Sequence, residues 1–319
     1  MPDNKNNCPN IVFILIDDMG WKDLSCYGSG FYETPNIDRL ASEGMVFTDA
    51  YAASPVCSPT RASIMSGKYP ARVGVTDWIG SHTCGKLIEA PCTDHLPLEE
   101  KSLASALKGW GYNTWHVGKW HLGKRPYYPE NHGFDVNIGG CHLGSPRKGY
   151  FSPYHIETLE DGPEGEYLTD RLTDEAIKLM RSNNGTPFFL NLWHYAVHTP
   201  IKAKKEDIER FAGKAKDMGL DRIAALVEGE YFPCKHKKHE KIIRRIIQSD
   251  PTYAAMVYNL DWNIGRLLDA LDETGQKDNT VVFFTSDNGG LSTAEGSPTC
   301  NAPLSEGKGW MYEGGIREP

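Results

Sequence analysis

Four short apolar runs constrain this chain most. Asn10–Ile16 reads NIVFILI, Pro187–Trp193 reads PFFLNLW and Thr280–Thr285 reads TVVFFT, with a fourth run at Asn113–Val117. Continuous runs rich in β-branched and aromatic residues are the pattern of strands buried on both faces. Between them lie helical patterns. Thr34-Pro35 opens one that runs to Glu43, with Gly44 after it, and Ser58-Pro59 opens Thr60–Ser66, closed by Gly67. Lys101–Lys108 and Tyr167–Arg181 follow. Tyr253, Met256, Val257, Leu260, Ile264, Leu267, Leu268 and Leu271 keep an i, i+3, i+4, i+7 spacing up to Gly275. Buried strands alternating with amphipathic helices predict an α/β fold: a mostly parallel central sheet with helices on both faces. The charged stretch 202–250 lacks a buried-strand run and reads as a helical insertion on the surface.

In such a sheet ligands bind beyond the carboxyl ends of the strands. Three of these ends carry polar clusters: Asp17-Asp18, Gly118-Lys119-Trp120-His121 and Ser286-Asp287-Asn288-Gly289. Asp17, Asp18, Asp287 and Asn288 offer oxygen ligands only, which suits Ca²⁺ or Mg²⁺ and not zinc. One such pair alone reads more readily as a cap on a helix or turn; both pairs at the ends of buried strands favour a metal.

Cys57 sits at or just before a helix N-terminus, where a thiol pKa falls. It reads as a nucleophile with Arg61 one turn along to hold an oxyanion, or as a buried structural cysteine. The other seven cysteines are too sparse for a disulfide scaffold, although Cys84 and Cys92 are near enough in sequence to pair. His116, His82, His95, His132, His142 and His155 read as structural or loop residues.

The string Cys-x-Pro-x-Arg from Cys57, followed by Ala-Ser and Gly67, resembles the signature of type I, formylglycine-dependent sulfatases of the alkaline phosphatase superfamily. Asp17-Asp18, Gly118-Lys119-Trp120-His121-Leu122-Gly123, His198-Thr199-Pro200, Asp287-Asn288-Gly289, and Gly307-Lys308-Gly309 with Tyr312–Pro319 match further family motifs in order. The resemblance implies an alkaline-phosphatase-like α/β fold and hydrolysis of sulfate esters. It implies one divalent cation, usually calcium, held by Asp17, Asp18, Asp287, Asn288 and residue 57. It implies that a separate maturation enzyme oxidises Cys57 to Cα-formylglycine. One hydroxyl of the hydrated aldehyde attacks sulfur, and the other then expels sulfate. By the same resemblance His121 is the base of the elimination, and His198, assisted by Lys308, protonates the leaving alcohol. Arg61 bonds the diol oxygens, while Lys119 and Lys308 supply positive charge where negative charge develops.

Tyr32–Trp78 looks most like bacterial arylsulfatase-type enzymes acting on carbohydrates, so the expected substrate is a sulfated sugar or glycosaminoglycan fragment. Two rival functions stand beside it: a phosphate or phosphonate ester hydrolase on the same fold, and a non-catalytic binder of sulfated glycans. A formal net charge of −8 argues against a general nucleic-acid binder. No apolar run approaches the roughly 18 residues of a membrane span. The start, MPDNKNNCPN, has no apolar leader core; the resemblance implies a periplasmic or secreted protein if a leader was removed. Lys235–Arg245 holds six Lys or Arg against one Glu. It reads as a solvated helix face, or as a landing strip for a sulfated polymer centred on Lys237, Lys238 and Lys241. Tyr127–Gly149, rich in Gly, Pro and aromatics, is expected to shape the leaving-group pocket. The family pattern implies a further strand and a small antiparallel subdomain beyond Pro319. The 319 residues alone are therefore expected to be poorly soluble or inactive beside a longer version.

Overall fold

The first apolar run is an inner strand of a five-stranded parallel sheet, with a strand paired along each of its edges. The computed structural model describes residues 8–81, 90–234 and 237–319. Cys84, His82 and Lys235 lie outside the described residues. In chain order the elements are β1 (Asn10–Ile16), α1 (Pro35–Ser42), β2 (Ala50–Tyr51), α2 (Cys57–Ser66), α3 (Pro70–Val73) and α4 (Leu103–Gly109). There follow β3 (Asn113–Gly118), β4 (Val136–Ile138), α5 (Leu168–Ser182), β5 (Phe188–Trp193), α6 (Lys205–Asp217), β6 (Leu226–Tyr231) and β7 (Lys241–Arg245). The last are α7 (Pro251–Glu273), β8 (Thr280–Ser286), α8 (Glu313–Ile316) and β9 (Arg317–Glu318).

The sheet order is β4-β3-β5-β1-β8, with every pairing parallel. Side chains alternate across it as the pleat requires. Val12, Ile14, Ile16, Leu190 and Leu192 face the layer of α1, α5, α6 and α7. Leu15, Phe189 and Trp193 face the opposite layer, where Ala62 and Met65 of α2 and Ala104 and Leu107 of α4 pack. Helices therefore cover both faces, as expected. The first amides of α1 are capped from another helix: Asp261 of α7 accepts from Asn36 N at 3.0 Å and Ile37 N at 2.8 Å. Among the described residues, no helix is long and apolar enough to cross a membrane.

Two expectations are corrected. Thr280–Thr285 is not buried on both faces. β8 is an edge strand, and Val281 and Phe283 are 42% and 49% exposed while Val282 and Phe284 pack against the core. An apolar run does not tell a central strand from an edge strand, because position in the sheet is set by the rest of the chain. The 202–250 insertion is not wholly helical either. After α6 it forms the antiparallel hairpin β6–β7. Its strands are joined by cross-strand ion pairs, Lys241 to Glu228 at 2.6 Å and Arg244 to Glu230 at 2.8 Å, so no apolar alternation advertised them.

Register decides where the chemistry collects. Ile16 is level with Ser286, Leu15 with Trp193, and Gly118 with Trp193. The residues that follow these strands therefore leave the sheet side by side. Asp287 N donates to Ile16 O at 3.1 Å, and Lys119 N to Trp193 O at 2.7 Å.

Candidate functional site

Beyond this end of the sheet three carboxylates and three cations interlock. Lys119 Nζ reaches Asp17 Oδ2 at 2.6 Å, Lys308 Nζ reaches Asp18 Oδ2 at 2.8 Å, and Arg61 Nε and Nη2 reach Asp287 Oδ2 at 2.8 and 2.7 Å. Asn288 Nδ2 donates to Asp18 Oδ1 at 2.8 Å, and Asp18 N to Asp287 Oδ1 at 3.3 Å. Asp17, Asp18, Arg61, Lys119, Asp287 and Asn288 are all buried. Burial pushes the Asp17 carboxyl well above the usual carboxylate range, against Lys119 and with help from Asp287 and Asp18. Burial acts the same way on Asp18, but Lys308, His198 and Lys119 outweigh it and hold that carboxyl low.

Two buried oxygens in the cluster, Asp17 Oδ1 and Asn288 Oδ1, accept no hydrogen bond. A buried oxygen without a donor costs of order 1–3 kcal/mol. The bound cation of a hard-oxygen site removes that cost, so the residues fit such an ion. His198 also lies within 4.8 Å of Asp17 and Asp18 as a possible ligand. Its Nε2, however, is taken up by Lys308 at 2.8 Å.

Cys57 is the first residue of α2 and is 4% exposed. Its Sγ lies 3.3 Å from His121 Nδ1. His121 Nε2 lies 3.1 Å from Ile79 O, a carbonyl that can only accept, so the ring proton is on Nε2 and Nδ1 offers a lone pair to residue 57. Burial, and then the Lys119 charge, holds this imidazole neutral, well below its ordinary pKa. Ser58 braces it, with Oγ 3.0 Å from His121 O.

The same logic fixes His198. Its Nδ1 lies 2.7 Å from Thr199 O, so the proton is on Nδ1 and Nε2 accepts from Lys308. Burial and the Lys308 charge bring the His198 pKa down to about 3. Asp18, Cys57 and Asp17 raise Lys308 against the effect of burial. The shared proton of this pair therefore rests on Lys308.

The candidate metal and catalytic residues, Asp17, Asp18, Cys57, Arg61, Lys119, His121, His198, Asp287, Asn288 and Lys308, lie together here. Arg61 holds Asp287 and, through Nη1, Lys119 O at 3.1 Å. Three contributors had no sequence signal or were passed over. The Tyr150 hydroxyl lies 2.8 Å from His198 O. Asp23 is buried and accepts from Gly20 N at 2.9 Å and Tyr253 OH at 2.6 Å, fixing the turn after Asp18. Glu318, inside the last motif, is buried with neither oxygen partnered, and burial, then Asp287 and Asp18, pushes it well up. Three residues of the basic run are neutralised: Lys241 pairs with Glu228, Arg244 with Glu230 and Glu306, and Arg245 with Asp250.

The profile of the sulfatase family matches residues 9–319. N-acetylgalactosamine-6-sulfatase of Rattus norvegicus is 34% identical over 330 residues, covering 98% of this chain and 56% of that protein. A sulfatase of Formosa agariphila is 32% identical over 379 residues, covering 98% of this chain and 63% of that protein. The solved structure of Ps i-CgsB in complex with k-i-k-neocarrahexaose matches with a TM-score of 0.72 at 33% identity, covering 98% of this chain and 65% of that one. A phosphonate monoester hydrolase of Agrobacterium radiobacter, 20% identical with a TM-score of 0.63, shares the alkaline-phosphatase-like fold. The chain thus spans a little over half the length of the curated relatives it matches. A parallel sheet whose strand ends carry these motifs in this order, matched along nearly the whole chain, places it in the sulfatase family.

Proposed function

We propose that the protein hydrolyses sulfate esters, with residue 57 as nucleophile and a divalent cation, calcium or magnesium, held by Asp17, Asp18, Asp287 and Asn288. One observation carries this reading: His121 Nδ1, unprotonated, lies 3.3 Å from Cys57 Sγ at the rim of a buried oxygen cluster with two undonated oxygens. The cation, when bound, neutralises sulfate oxygens and acidifies an attached hydroxyl. Formylglycine made from Cys57 by a maturation enzyme supplies the hydrated aldehyde as nucleophile.

The chain's own groups do the rest. His121 Nδ1 takes the proton from the oxygen at position 57. Lys308 holds the proton that the leaving alcohol needs, and His198 Nε2 orients it. Lys119 and Arg61 fix Asp17 and Asp287, so the oxygen cluster needs no reorganisation when charge develops. Three carboxylates against three cations leave the cluster near neutral, so a divalent ion makes it a net cation suited to an ester anion.

A sulfated carbohydrate is the substrate class we favour. The similarity to N-acetylgalactosamine-6-sulfatase and to a protein solved with neocarrahexaose supports it. Mass spectrometry of the Cys57 peptide, with parallel assays on an aryl sulfate and an aryl phosphate, tests the reading. Conversion of the thiol to an aldehyde and faster sulfate turnover are expected. An unmodified thiol, or phosphate turnover faster by orders of magnitude, overturns it.

A further inference from the structure

Between β4 and α5 a loop, 139–150, runs across the site from one histidine to the other. His121 N donates to Cys141 O at 3.0 Å. At Gly144 a Cβ would stand 2.6 Å from His121 Cε1, so only glycine lets the loop lie on that ring. At its far end the Tyr150 hydroxyl lies 2.8 Å from His198 O.

The middle of this loop is a tight turn, closed by Gly149 N to Pro146 O at 2.7 Å. Arg147 and Lys148 stand on it, exposed. Gly149 has φ 107°, and a Cβ there would lie 2.9 Å from Lys202 Nζ, which rests against the turn four residues after His198. Lys124 lies on the other flank. Its carbonyl accepts from Tyr127 N at 2.8 Å, and the neighbouring Tyr128 hydroxyl lies 3.0 Å from His142 Nδ1 in the 139–150 loop.

Adjacent basic residues are neutralised. Arg125 pairs with Glu157 at 2.8 Å and Lys204 with Asp170 at 2.7 Å. Among the described residues, no such ion pair is made by Lys124, Arg147, Lys148 or Lys202. Four cations are thus left without an ion pair on a protein of net charge −8, on the segments that follow His121 and His198 and on the loop that touches both. Such a cluster raises the local concentration of anions.

We propose that Arg147 and Lys202, flanked by Lys124 and Lys148, form a subsite for a second anionic group, sulfate or carboxylate, on the sugar next to the one losing sulfate. The inference rests on the sulfate-ester reading of the site. It makes the protein selective for polyanionic oligosaccharides over isolated sulfate esters.

The test compares the wild type with the double variant Arg147→Ala/Lys202→Ala. Substrates are a carrageenan hexasaccharide bearing at least two sulfates, an oligosaccharide with one sulfate and neighbouring uronates, and nitrophenyl sulfate. The ratio of kcat/KM for hexasaccharide over nitrophenyl sulfate is expected to fall at least tenfold, about 1.4 kcal/mol. The charge-keeping variant Arg147→Lys/Lys202→Arg should restore most of it. An equal fall with the uronate substrate assigns the subsite to anions in general; a fall confined to the polysulfate assigns it to sulfate. A ratio within twofold of wild type overturns the proposal. Should the wild type cleave no sulfate ester, the parent reading fails, and calorimetric binding of the hexasaccharide then decides the subsite. Tenfold weaker binding by the double variant supports it, and equal binding sinks it.

Discussion

His198 Nε2 accepts a hydrogen bond from Lys308 Nζ at 2.8 Å, and the same ammonium reaches Asp18 Oδ2 at 2.8 Å. One ammonium therefore bridges the oxygen cluster and the proposed path of the departing alcohol. Positioned acids contribute roughly 10²–10⁴-fold when the leaving group needs its proton. Lys308→Ala should lower kcat for an alkyl or sugar sulfate by about 10²-fold or more, and far less for nitrophenyl sulfate, whose phenolate leaves unaided. Equal losses on both substrates would count against a proton-donating Lys308.

Cation binding should be visible without any turnover. A ligand that binds only the folded state at about 100 times its Kd adds about 2.7 kcal/mol of stability. Chelation should therefore lower Tm by several degrees, and millimolar CaCl₂ or MgCl₂ should restore it. In Asp17→Asn and Asn288→Ala proteins the metal-dependent shift should shrink or vanish. A chelator-insensitive Tm in the wild type would refute the metal assignment.

His194 is fully buried with both ring nitrogens unpartnered, and burial brings its pKa down to about 4. The unfolded chain titrates near 6.5, so unfolding takes up a proton below that pH. The contribution of a neutral His194 is present above pH 6.5 and is lost as pH falls toward 4. His194→Phe has no such proton to take up. Whatever the offset at pH 7.5, the unfolding free energy of this variant, followed by denaturant melts, should gain on wild type as pH drops to 5, by up to about 1.4 kcal/mol per pH unit. A difference that stays constant with pH would show His194 charged in the fold.

Charge on the β6–β7 hairpin should matter little for substrate. Lys241 and Arg244 are bound to Glu228 and Glu230, and Lys237 lies over the Phe232 ring at 5.1 Å. Lys237→Glu/Lys238→Glu is expected to leave KM for a sulfated polymer within about twofold. A tenfold rise would return the landing strip to this hairpin.

Much of the site was legible because its residues directly follow apolar runs. A strand buried on both faces is written in consecutive residues, and whatever follows it must surface at the same end of the sheet. Asp17, Lys119 and Asp287 could be placed that way, and Cys57 and Arg61 by a short motif. What stayed hidden depends on partners remote in sequence. The edge position of β8 follows from its pairing, among the described residues, with β1 alone. The hairpin is held by charge pairs and not by an apolar stripe. Asp261 caps α1 from 225 residues away. The proton on Lys308 follows from which carbonyl His198 Nδ1 happens to meet.

The inner place of β1, with a partner on each side, also sets a clock. It is made early, yet its two sheet neighbours begin only at Phe188 and Thr280. At about 5–20 residues per second, NIVFILI waits roughly 10–35 s on the ribosome for its first partner strand and longer for its second. Through that interval both hydrogen-bonding edges of an apolar segment are open to other chains. The strand that later carries Asp17 and Asp18 is thus the one left longest without a sheet partner while the protein is being made.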